Sequence, residues 1–92
     1  MTWKKSSYSE SERLIIQIDG KQFEGSLQVD KRGASFNFNS LGIHKKIKLD
    51  TKENMKKEAL TFLSQKIEKR ITELKKMNVI IEEELNVKNN KL

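Results

Sequence analysis

His44 is the only histidine in this 92-residue chain, and there is no cysteine. A single imidazole without a thiolate or a second imidazole to join it does not assemble a metal site. Nor does any hydroxyl or carboxylate pair stand at a spacing that would give it work as a general base. Gly20, Gly25, Gly33 and Gly42 lack phosphate-loop spacing; they suit turns or, at Gly25, a β-bulge. No cofactor, metal or small-molecule ligand is implied. The chain is also too short to enclose a large pocket, so a non-enzymatic protein is expected.

Two other chemistries are open to these residues. The first is contact with phosphate. Lys and Arg number 19 against 13 Asp and Glu, a formal charge of +6, with a pI near 9.6. The excess is spread evenly, because residues 1–50 hold nine basic and six acidic side chains and residues 51–92 hold ten and seven, giving +3 in each half. A dedicated nucleic-acid arm would concentrate its charge. Only Arg13, Arg32 and Arg70 offer the planar fork suited to guanine, so nucleic-acid binding would lean on the backbone phosphates. Lys31, Arg32, Asn37, Lys45, Lys46 and Lys48 are the candidates.

The second chemistry is apolar contact with another protein. Leu74, Met77, Ile80, Ile81 and Leu85 lie beyond what a small sheet can cover, and they are the candidates for a protein interface, a second copy of the chain included. Leu60, Leu63, Ile67, Leu74, Met77 and Ile81 approximate a heptad seam, interrupted where Arg70 falls.

Both sets of residues must be positioned by regular elements. Met1 to Glu12, with Trp3 and Tyr8 among lysines and serines, is expected to be a flexible segment unless Trp3 docks on the core. It is polar where a signal peptide would be hydrophobic, and no apolar run approaches the roughly 20 residues that span a bilayer. The expectation is a soluble, cytoplasmic protein with no membrane contact. From Leu14 the pattern changes to sheet. Asp19-Gly20 is a strong signal for a two-residue hairpin turn. Phe23, Gly25, Leu27 and Val29 then alternate with polar residues, the period of a strand with one dry and one wet face. Asp30 to Gly33 is the next turn. Phe36 and Phe38 alternate with Ser35, Asn37 and Asn39, and after a break at Ser40 to Gly42, Ile43, Ile47 and Leu49 alternate with His44, Lys46 and Lys48.

Asp50 to about Met77 reads as one amphipathic helix with Met55, Ala59, Phe62, Leu63, Ile67, Ile71, Leu74 and Met77 on one flank. Asp50 and Glu53 form a capping-box pattern at its start. Beyond Met77 the helix either continues to about Val87 or breaks near Asn78, and Lys88 to Leu92 reads as a frayed tail. The expected fold is α+β: an antiparallel four-stranded meander packed on one long C-terminal helix as a two-layer sandwich, with the domain at 13–78 and a C-terminal extension at 79–92. A sheet followed by a helix opening Thr51-Lys52-Glu53 is similar in topology to the arm-binding domains of tyrosine integrases and to plant-type AP2 domains. The likeness extends to element order and a few helix residues, and implies DNA contact through the polar sheet face. The clustered arginines and aromatics of those domains have no counterpart here. The first expectation is therefore protein contact through the helix and C-terminal segment, and the alternative is nucleic-acid contact through the sheet.

Overall fold

The computed structural model describes residues 1–7 and 9–90, and the side chains of 88–90 are excepted. Tyr8 and residues 91–92 lie outside the described residues. Five strands precede the helix: β1 (Thr2–Lys5), β2 (Glu12–Ile18), β3 (Lys21–Asp30), β4 (Gly33–Phe38) and β5 (Ile43–Ile47). They pair antiparallel in chain order, so the sheet is a simple meander.

The expected four strands become five. Thr2–Lys5, inside the segment read as flexible, pairs with β2 and sets Trp3 opposite Leu14 and Lys4 opposite Arg13. Trp3 is half-buried, and the Lys56 ammonium lies 5.3 Å from the centre of its ring. One aromatic anchor and four backbone pairings are what a polar composition conceals.

Turn chemistry fixes the register. Asp19 and Gly20 both have positive φ, 50° and 79°, as a two-residue turn between Ile18 and its partner Lys21 demands. In the next turn the Asp30 carboxylate accepts the Arg32 and Gly33 backbone N–H groups at 2.7 and 3.0 Å. After β4 the chain makes one turn of 3-10 helix at Asn39–Leu41, closed by Gly42 in the left-handed region.

The pleat sorts the side chains. Leu14, Leu27, Ala34, Phe36, Phe38, Ile43 and Ile47 share one face and are all buried. Gly25 lies on this face, paired with Leu14 on one side and Phe38 on the other, and the ladder runs through it without a bulge. It serves instead to make room: a Cβ there would sit 2.9 Å from Phe38 Cδ2 and 3.1 Å from both Phe36 Cε1 and the Asn37 carbonyl oxygen.

One helix, α1 (Lys52–Asn90), follows and is continuous past Asn78. Its cap is one residue later than the sequence pattern suggests. Thr51 Oγ1 accepts the Asn54 backbone N–H at 3.2 Å, while Asp50 accepts the Thr51 N–H at 2.7 Å. That bond and the Asn54 side chain hold the Asp50 carboxyl below its ordinary range.

The chain divides into two compact units, Met1–Thr61 and Phe62–Leu92. In the first, Met55 and Ala59 from the opening turns of α1 are buried with the apolar sheet face. Lys52 and Lys56 reach Glu12 at 3.3 and 2.8 Å. Burial pushes the Glu12 carboxyl up, and the hydrogen bonds and charges of Lys56 and Lys52 more than offset this, leaving it below its ordinary value of 4.5. Lys52 also bonds the Glu10 carbonyl oxygen and lies 3.5 Å from its carboxylate. The second unit is helix alone among its described residues. Leu63 is buried at its start, and from Ser64 to Val87 every residue is exposed. The expected flank from Met55 to Met77 is therefore dry only as far as Leu63.

Candidate interaction surfaces

The polar face of the sheet is built by the strand period. It displays Lys4 and Arg13 at the β1 side, Glu24 and Ser26 on β3, Ser35 and Asn37 on β4, and His44 and Lys46 on β5. Arg13 is 3.9 Å from Glu24, and His44 Nδ1 pairs with Asn37 Oδ1 across the strands. Ile15 also faces this side, between Thr2 and Glu24, and is buried.

Of the six nucleic-acid candidates, the sheet brings Asn37 and Lys46 onto this face. Arg32 joins Lys46 at the rim of a shallow depression of about 380 Å³, lined also by Gln28, Asp30, Ser35 and His44, whereas Asn37 lines a separate one with Arg13 and Glu24. Lys31 is its neighbour in the turn, and Lys48 follows the end of β5 in solvent. Lys45 does not belong to the set. It pairs with Phe36 and so lies on the apolar side of the sheet, half-buried. Reading Lys45, Lys46 and Lys48 as one cluster overlooks the alternation of a strand. The same alternation places on this face Lys4, on a strand the sequence pattern does not reveal, and Arg13, one residue ahead of where the sheet pattern begins. They help line a further depression of about 570 Å³ with Lys5 and several serines.

The apolar surface is on α1. Leu74, Met77, Ile80, Ile81 and Leu85 are exposed by 49, 55, 66, 53 and 53%. Helix geometry separates them. Stepping about 100° per residue, Leu74, Ile81 and Leu85 share one narrow stripe, Met77 flanks it, and Ile80 points roughly 140° away. The stripe also takes in Ile67, Ile71 and Asn78, so its members recur at intervals of four, three, four, three and four residues. Met55, Ala59 and Leu63 recur strictly at four, a spacing whose face drifts around the helix. Asn78 donates through Nδ2 to Glu82 Oε1 at 3.3 Å, along the edge of the exposed stripe. Arg70, 3.8 Å from Glu73, lies beside the stripe and not within it.

No group of three or more potential metal-ligating side chains occurs among the described residues. No helix among them is long and apolar enough to cross a membrane, which leaves strand-based crossing unaddressed. No protein-family model, curated protein or solved structure matches the chain.

Proposed function

We propose that this is a non-enzymatic binding protein that works by protein–protein contact through the second half of α1. One observation carries the reading: a regular apolar stripe from Ile67 to Leu85 lies in solvent on a helix that continues unbroken to Asn90. A helix of this composition gains little from propensity alone, and an amphipathic face is ordinarily stabilised by packing against something. The sheet unit is held by its own core and does not draw on that stripe.

Contact with nucleic acid through the polar sheet face has less support. Lys45 is on the other side, the Arg13 charge is shared with Glu24, and Asp30 stands beside Arg32 in the same depression.

Immobilised chain and its Ile81→Asp/Leu85→Asp variant, exposed to extract of the native cell with and without nuclease treatment and to more of the chain itself, test the reading. Retention that the variant loses supports it. Retention equal in both proteins, or abolished by nuclease, overturns it.

A further inference from the structure

We infer that the partner of the exposed α1 stripe is a second copy of this chain, joined as a parallel, in-register helix pair with Asn78 facing Asn78 across the two-fold axis; this rests on the reading of the stripe as a protein-contact surface. The continuous helix places Ile67, Leu74 and Ile81 at one core position of a heptad and Ile71, Asn78 and Leu85 at the other. This frame replaces the one interrupted by Arg70, and nothing charged stands in it between Ile67 and Leu85. Its one polar member has three apolar positions before it, Ile67, Ile71 and Leu74, and two after it, Ile81 and Leu85.

Asn78 identifies the partner. Asn78 donates one N–H to Glu82 of its own helix; against an apolar surface its carbonyl oxygen and second N–H are left unsatisfied, and another amide at the same level satisfies them best. Parallel in-register pairing supplies that amide by symmetry. Antiparallel pairing of the same seam sets Asn78 against Leu74, and any shifted register sets it against isoleucine or leucine. Charge alone favours the antiparallel arrangement. Lys66, Lys69, Arg70, Lys75 and Lys76 against Glu68 and Glu73 leave +3, while Glu82, Glu83 and Glu84 give −3. Exposed charges are screened and weak, however, and an unpaired buried amide outweighs them. Ile67 and Ile81 would also suit wider assemblies, and Asn78 is what selects the pair.

The arrangement has an unusual salt dependence. Parallel pairing lays Arg70 of one copy near Lys75 of the other, a like-charged contact that the two-fold axis repeats, while Glu82 and Glu84 fall opposite Met77 and Asn89. Added salt screens this repulsion, so the dimer tightens between low and moderate ionic strength. Phosphate binding, or an antiparallel pair, weakens over the same range.

Because the chain has no cysteine, a single Leu74→Cys substitution reports orientation directly. Sedimentation equilibrium of the full chain should give a dimer whose dissociation constant falls with salt. Mild oxidation of the Leu74→Cys variant should yield a covalent dimer, since only parallel in-register pairing brings two residues 74 within disulfide reach. Ile81→Asp should raise the dissociation constant on the order of 100-fold, while the Trp3 fluorescence of the sheet unit stays unchanged. A monomer at several hundred micromolar, a trimer or tetramer, salt-weakened association, or a Leu74→Cys protein that resists cross-linking overturns the inference. If the chain is monomeric but still retains another protein through Ile81 and Leu85, the second copy is refuted and the protein-contact reading survives.

Discussion

A methyl group at position 25 is the smallest change that the core resists. The Phe36 and Phe38 rings, with centroids 6.4 Å apart, close over Gly25 so tightly that a Cβ meets a ring atom at 2.9 Å and backbone at 3.1 Å. A ring edge can shift by some tenths of an ångström, but the Asn37 carbonyl is held in the ladder. Gly25→Ala therefore destabilises the domain by about 1–3 kcal/mol, read from chemical unfolding. Phe36 has no exposed surface, and Phe36→Ala removes a whole ring from the same place. The expected loss is about 3–5 kcal/mol, enough to unfold a domain of this size. Glu12 contributes differently. Its carboxyl is depressed in the folded state, so its stabilising effect is present above the unfolded value and is lost as pH falls through the lower, folded one. Glu12→Gln should unfold more readily than wild type at neutral pH, and the gap should close on acidification below about pH 4. A gap of constant size from pH 7 to pH 3 would remove the Lys52–Glu12–Lys56 cluster from that role.

Elements with a strict local signal are legible in the sequence. The turn at Asp19-Gly20, the turn closed by Asp30, the alternation of β3 and β4 and the burial of both phenylalanines follow from periodicity and backbone preference. Three features escaped. Strand β1 is held by pairing with β2 and by one tryptophan, which composition does not register. The Gly25 space is made by residues on a neighbouring strand. The continuity of α1 beyond Asn78 was obscured by the β-branched run Val79-Ile80-Ile81, which helix context overrides. Among the candidate residues, Leu74, Ile81 and Leu85 fall on one stripe of the helix, whereas Lys45 parts from Lys46 by strand geometry. The cap of α1 belongs to Thr51, whose hydroxyl takes the Asn54 amide. Thr51→Ala should cost about 1 kcal/mol of sheet-unit stability, because the turns it starts carry Met55 and Ala59 into the core. Asp50→Ala should cost less.

For the whole molecule, the two units differ in what sustains them. Met1–Thr61 has a core of its own, whereas the described part of Phe62–Leu92 is a helix with its apolar stripe in solvent beyond Leu63. Amides of β3 and β4 should exchange slowly at any protein concentration. Those from Ser64 to Val87 should exchange quickly in dilute solution and become protected, with rising helical circular dichroism, as concentration increases. Concentration-independent exchange over both units would exclude self-association as the source of helix stability.

The first strand also shields its neighbour. With Thr2–Lys5 in place, the sheet ends in a short strand bearing Lys4 and Lys5, side chains that discourage edge-to-edge growth. Without it, Glu12–Ile18 becomes the border, and its Leu14-Ile15-Ile16 run presents unpaired amides to any similar chain. A protein trimmed by five residues at its beginning should develop turbidity and bind amyloid dyes under conditions in which the longer one stays clear.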